Sequence, residues 1–268
     1  MSVSPQPGWG YDVSPVLLEN FRREGHVLLP HVASREEVAR WKPVVERTVE
    51  NVTGRSDPQG RIDDYSRLFT QVTNIWRIDP DAREIVFNRR FASIAAQLLG
   101  VPHVRLYHDQ ALFKPSGGAR TPWHQDRYYW PLDTDLTVTM WLPLTDVTEE
   151  MGPMRFACGS HRARNLGDLV ISEKTDVALE ALIAARGWAQ CSSPVRAGDA
   201  SFHYGGTIHS AGANRSDSVR AVLTIIYFAD GTKVAPPANE HQRVDLDVFL
   251  PGAQPGAHAA TELNPLLF

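Results

Sequence analysis

The nine residues "RAVLTIIYF", 220–228, place an arginine at the head of a run rich in β-branched and aromatic side chains. Such a run reads as a β-strand. It is the last of a series that begins after Gly100: "VRLYHDQALFK" (104–114), "LTVTMWLPL" (136–144), "GDASFHY" (198–204) and "TIHSAG" (207–212), each bounded by Gly, Pro, Asp or Asn. Short strands with regular turn punctuation predict a barrel or jelly roll and argue against a doubly wound parallel sheet. One stretch interrupts them. "LGDLVISEKTDVALEALIAARGWAQ", 166–190, reads as partly helical, and an insertion of this kind is expected to lie over the open mouth of the barrel as a lid.

The half before Gly100 has a different character. In "SPVLLENFRREG" (14–25), Ser14 is an N-cap, Pro15 sits at the first helical position and Gly25 supplies the stop. "HVLLPHV" (26–32) reads as a strand. "SREEVARWKPVVERTVENV" (34–52) opens with Ser34 and Glu37 in capping-box register, and Val38, Trp41, Val45 and Val49 recur at spacings of three and four. Pro43 is expected to kink this helix or end its first segment. Residues 62–78 continue the mixed half, "DAREIVFNRRFASIAAQLLG" (81–100) looks helical, and residues 1–13 form a surface arm. The expectation is one mainly-β domain over residues 1–268 with flanking helices.

Composition narrows the function. A formal net charge of −4 with no basic block leaves neither a nucleic-acid footprint nor an anionic-membrane patch. Cys158 and Cys191 have no CxxC spacing, the N-terminus carries no leader pattern, and no apolar run reaches membrane-spanning length. A soluble, cytoplasmic protein with a small-molecule partner is expected.

Chemistry enters with "TPWHQDRYYW", 121–130. Ten His and eighteen Asp in a chain this long make about 0.7 His-x-Asp matches by chance, so the tripeptide alone decides nothing. In an extended segment, however, His124 and Asp126 share a face with Cα atoms roughly 6.5 Å apart, and both side chains can reach one ion. His209 is the candidate third ligand. Two imidazoles and one carboxylate on one face of an octahedral metal form the facial triad of non-haem Fe(II) sites, whose open positions accept a cosubstrate and O2. The charge left on such a site favours a keto acid, whose far carboxylate calls for an arginine fork. Arg220, at the head of its strand, suits that role better than Arg215 in the preceding turn. His108, His161 and His203 lie near the same segments and are read as structural. Tyr128, Tyr129 and Trp130 read as a pocket wall.

The fragments "HQD", "EEMGPMRFACGSHR", "GDASFHYGGTIHSAGANRSDSVRA" and "ENFRREGHVLLPHVASREEV" resemble the phytanoyl-CoA dioxygenase family of Fe(II)- and 2-oxoglutarate-dependent oxygenases, in order over roughly residues 16–230. The resemblance implies a cupin-like double-stranded β-helix with N-terminal helices. It implies iron at His124, Asp126 and His209 and 2-oxoglutarate on Arg220, with Gln110 and Trp141 also lining the cosubstrate site. Where the family often has a serine two places after the distal histidine, this chain has Ala211, so that hydrogen bond to the cosubstrate is expected either to be missing or to come from Ser210 or Thr139. The implied reaction consumes O2 and releases succinate and CO2 while hydroxylating, desaturating or cyclising a small, largely apolar compound such as a secondary metabolite or acyl compound. With Asp126 in place, oxygen transfer is implied and halide transfer is not. The rival reading, a non-oxidative cupin-like metal or ligand binder, has no use for an arginine clamp.

Overall fold

A computed structural model describes residues 10–54, 69–163, 166 and 169–268. The N-terminal elements follow their caps. Helix α1 (Pro15–Glu24) starts at Ser14, whose side chain accepts from the Leu17 amide, and ends at Gly25 in the left-handed conformation. After β1 (His26–Leu29), α2 (Arg35–Thr53) opens with the complete Ser34–Glu37 capping box. Pro43 does not end it. The helix runs through, because buried Val38, Val45, Thr48 and Val49 hold both halves to the core, and these contacts offset the roughly 3 kcal/mol that an interior proline costs. The expected arm is docked where it is described: the Tyr11 hydroxyl donates to the Pro30 carbonyl, and the amide of buried Val13 donates to Gln97. Residues 1–9 and 62–68 of the two N-terminal readings lie outside the described residues.

Next come β2 (Thr70–Thr73), α3 (Pro80–Val86) and α4 (Arg89–Leu99). The helical stretch 81–100 is thus two helices, broken where the Asn88 side chain turns back to cap the Arg90 amide. The strands β3 (Val104–Lys114), β4 (Thr121–His124), β5 (Thr137–Pro143), β6 (Met154–Ala157), helix α5 (Glu173–Arg186), β7 (Gln190–Ser192), β8 (Ala200–Tyr204), β9 (His209–Ala211), β10 (Arg220–Ala229) and helix α6 (Glu240–Phe249) complete the chain. Two antiparallel sheets result, in the orders β1-β8-β5-β10-β3-β2 and β4-β9-β6-β7. This is the double-stranded β-helix that the sequence predicts.

The central strand β10 shows how the sheet positions the site. Successive side chains alternate between faces. Ala221, Leu223, Ile225 and Tyr227 pack into the core that includes helical Phe91, Ile94 and Leu98, while Arg220, Thr224 and Ile226 line the cavity between the sheets. The strand is buried on both faces, which is why it carries no polar alternation in the sequence.

Candidate metal centre

His124 ends β4 and His209 opens β9, and the two are direct register partners, so their rings lie 4.1 Å apart centre to centre. Gln125 is extended (φ −122°, ψ 128°), which brings Asp126 back to the same side. Asp126 Oδ1 then stands 3.7 Å from His124 Nε2 and 3.6 Å from His209 Nε2. One donor atom from each of the three residues falls within 4.8 Å of the others.

The surroundings fix which atoms face inward. His124 Nδ1 lies 2.8 Å from the Pro122 carbonyl and His209 Nδ1 lies 3.0 Å from the Thr207 carbonyl. A carbonyl only accepts, so each Nδ1 bears the proton and each Nε2 presents a lone pair. Burial, reinforced by their mutual proximity and opposed by Asp126, lowers His124 to about 4, and burial likewise lowers His209 to about 4. Both are neutral near pH 7. Asp126 behaves oppositely. Burial acts to raise it, but the His209, His203 and His124 rings outweigh that and hold the carboxyl well below the usual range. Its Oδ2 accepts from Thr139 Oγ1 at 3.0 Å and stands 3.2 Å from His203 Nε2, leaving Oδ1 toward the histidines. Two neutral imidazoles and one ionised carboxylate, each oriented by a further contact, fit a divalent transition metal with open coordination positions.

The six residues anticipated from sequence, His124, Asp126, His209, Arg220, Gln110 and Trp141, all line one cavity of about 480 Å³. Arg220 is buried, lies over the Trp141 ring at 5.7 Å, and donates from Nη1 to the Gly152 carbonyl. Its buried Nε has no partner among the described residues. Lys114, its register partner on β3, is also buried, and donates to Thr121 Oγ1 at 3.2 Å and the Gly212 carbonyl at 3.0 Å. Burial, then the charge on Arg220, lowers Lys114 to about 7, and burial lowers Arg220 to about 10. Two adjacent buried cations with no carboxylate partner among the described residues make a site that an organic anion would complete. The two carbonyls come from a close backbone approach of Gly152, left-handed at φ +71°, and Gly212, where a Cβ on either residue would strike the other.

The structure separates the rivals. Arg215 is exposed on its turn. His161 stacks on Tyr204. His108 stacks on Phe249 and lines the cavity. His203 is the contact to Asp126 that the sequence reading missed, because its place opposite Thr139 is visible only once β5 and β8 pair. Thr139 is engaged with Asp126, while Ser210 lines the cavity with a buried hydroxyl that has no partner among the described residues. Of the aromatic run, Tyr129 and Trp130 form wall and Tyr128 does not line the cavity. The fragment "EEMGPMRFACGSHR" contains the strand β6. In the 166–190 insertion, α5 is docked on β4. Its buried Asp176 accepts from the Trp123 amide at 2.8 Å and pairs with Arg120. Among its described residues, only Val170 and Ile171 reach the cavity.

The model of the family "Phytanoyl-CoA dioxygenase (PhyH)" matches residues 21–222, three quarters of the chain. The chain belongs to that family. It is a 2-oxoglutarate-dependent non-haem iron dioxygenase, and Fe(II), 2-oxoglutarate and O2 are its cofactor and cosubstrates. The non-oxidative reading falls away. Among curated proteins, an L-proline trans-4-hydroxylase of Streptomyces griseoviridis is 27% identical, the alignment covering 80% of this chain and 87% of the relative. An ectoine dioxygenase of Bordetella parapertussis is 24% identical over 82% and 77%. Among solved structures, the carbocyclase SnoK from nogalamycin biosynthesis superposes with a TM-score of 0.79 at 29% identity, covering 97% of this chain and 99% of that one. The epimerase SnoN, in complex with Fe3+, alpha ketoglutarate and nogalamycin RO, gives 0.76 at 25% over 94% and 98%. Among the described residues, no helix is long and apolar enough to cross a membrane.

Proposed function

We propose that His124, Asp126 and His209 hold the iron, that Arg220 holds the far carboxylate of 2-oxoglutarate with Gln110 and Trp141 beside it, and that this single-domain enzyme oxidises a small, largely apolar organic molecule in the cytoplasm. The observation that carries the reading is the convergence of three donor atoms whose lone pairs are set by the Pro122 and Thr207 carbonyls and by the Thr139 and His203 contacts to Asp126. Iron with 2-oxoglutarate and O2 supplies an oxidant strong enough to take hydrogen from an unactivated C–H bond.

The chain's own residues do the rest. Arg220 fixes the orientation of the keto acid by charge, and the Trp141 ring packs under the guanidinium so that the clamp keeps one geometry. Asp126 keeps one carboxylate oxygen directed at the metal position because Thr139 and His203 hold the other. Trp130, Tyr129, Ile171 and Phe249 form apolar wall, which excludes water from the reacting C–H bond. Hydroxylation is the expected outcome. Desaturation or ring closure follows where the substrate's geometry withholds the carbon from oxygen transfer, consistent with relatives named as a hydroxylase and a carbocyclase. The test is succinate release by the purified enzyme with Fe(II), 2-oxoglutarate and a compound panel, followed by product mass under ¹⁸O2. Fe(II)-dependent release accelerated by one compound class, with ¹⁸O or two lost hydrogens in the product, is expected. Release that ignores Fe(II), or a chlorinated product in saturating chloride, contradicts the reading.

A further inference from the structure

The cavity has a second polar end. It is supplied by α6, which follows the last residue matched by the family model, 222. His241, Asp245 and Phe249, spaced by four on one helix face, all line the cavity. The helix is fastened at both ends. Asn239 and Gln242 both donate to the Tyr128 carbonyl, at 3.2 and 3.1 Å, and Asn264 donates to the Phe249 carbonyl at 3.2 Å. Phe249 in turn stacks on His108 at 4.1 Å.

Asp245 is the carboxylate of this end. Its Oδ2 accepts from the Tyr107 hydroxyl at 3.1 Å, and among the described residues it has no Lys or Arg partner. Tyr129, Trp130, His241 and Phe249 line the same cavity, and Tyr107, which donates to Asp245, lies 5.5 Å from the Trp130 ring and 5.6 Å from that of Phe249. Burial raises Asp245 to about 7. A half-buried carboxylate that the protein leaves without a counter-ion is costly until something positive arrives. A carboxylate sharing a cavity with aromatic side chains is also an environment that selects an organic ammonium over a neutral group of the same shape, because ring quadrupole and carboxylate attract the same charge.

Resting on the iron and 2-oxoglutarate reading above, we propose that Asp245 anchors the substrate and that the substrate carries a basic nitrogen on an otherwise apolar cyclic skeleton. The ammonium docks on Asp245 Oδ1 beside the Tyr129 and Trp130 rings, and the skeleton extends along the cavity toward His124, Asp126 and His209. The family-matched segment then supplies the cosubstrate site and the aromatic wall, and α6 adds the carboxylate that reads the substrate's charge.

Matched probes test this without knowing the natural substrate. A panel of cyclic amines (piperidine, 4-phenylpiperidine and larger fused-ring amines) and their N-acetyl derivatives is titrated calorimetrically, without O2, into the enzyme loaded with Fe(II) and 2-oxoglutarate at pH 7.5. Wild type is expected to bind the best-fitting amine at least about tenfold more tightly than its neutral derivative. Asp245→Asn, which keeps the shape and removes the charge, is expected to bring the two within about twofold. The wild-type preference is a measurement that no folding defect in the variant can obscure, and the variant's circular dichroism and melting are recorded beside it. No amine preference in wild type, or a preference undiminished in Asp245→Asn, overturns the proposal. Fe(II)-dependent succinate release by wild type without any amine reports separately on the iron and 2-oxoglutarate reading, so the two can fail independently.

Discussion

Among the described residues, two clusters of metal-capable side chains occur, His124 with Asp126 and His209, and His26 with Cys158 and Cys191. In each, one donor atom per residue falls within 4.8 Å of the rest, yet the two differ in readiness. In the first, both imidazoles are neutral with Nε2 free, and the carboxylate is ionised and held by two neighbours. In the second, His26 Nε2 already faces Cys158 Sγ at 3.4 Å, while burial, and then Cys191, pushes the Cys158 thiol up to about 12. A protonated thiol must lose its proton before it binds metal, and its softness suits zinc or Cu(I) better than a 2-oxoglutarate-binding iron. Proximity of donors is common to both clusters. What separates them is the orienting contacts behind each donor atom and the buried Arg220 in the same cavity as the first, with Lys114 as its register partner on β3.

That contrast can be broken at several points. The largest effect is expected from His124→Ala or His209→Ala, which should reduce Fe(II)-dependent succinate release to background while leaving circular dichroism and thermal unfolding close to wild type. Next, Arg220→Ala removes a charge-assisted clamp of about 2 to 4 kcal/mol. The KM for 2-oxoglutarate should rise by roughly two orders of magnitude, whereas Arg215→Ala should leave it unchanged. The reverse pattern would reassign the clamp.

A smaller effect is expected where the contact is indirect. Thr139→Val removes one of the two holds on Asp126 Oδ2. Iron affinity should weaken about tenfold with little change in the KM for 2-oxoglutarate, and Thr139→Ser should restore it. An unchanged iron affinity in Thr139→Val would mean that His203 alone orients the carboxylate. The smallest effect belongs to the other cluster: Cys158→Ser should alter succinate release by less than about twofold, since neither sulfur lines the iron cavity.

How far the sequence reaches follows from what each feature depends on. The β-core was legible because strand-forming runs and turn residues are local signals, and "VRLYHDQALFK" coincides with β3 from Val104 to Lys114. That His124, Asp126, His209 and Arg220 share one cavity was legible because the metal and keto acid proposed for them would restrict the residue types at those positions. Lys114 and His203 were not. They are ordinary residues in strand runs, and their meaning rests on the pairings Arg220↔Lys114 and Thr139↔His203, which are fixed only when distant strands meet. The same holds for Cys158 and Cys191. They show no motif spacing, but strands β6 and β7 pair Phe156 with Cys191 and so bring the two thiols to one face. Pro43 misled because propensity is local and the burial that overrides it is not. Helix α6 lies beyond the resemblance, in a stretch with no strand signal, although it brings His241 and Asp245 to the cavity.

The central claim is that orienting contacts, and not mere proximity, mark the iron site, and iron stoichiometry tests it most directly. Anaerobic equilibrium dialysis of Fe(II) in the presence of 2-oxoglutarate, on wild type, His124→Ala and Cys158→Ser, should give one tightly held iron per chain in wild type and in Cys158→Ser and none in His124→Ala. Iron retained by His124→Ala, or lost from Cys158→Ser with the fold intact, would contradict the account.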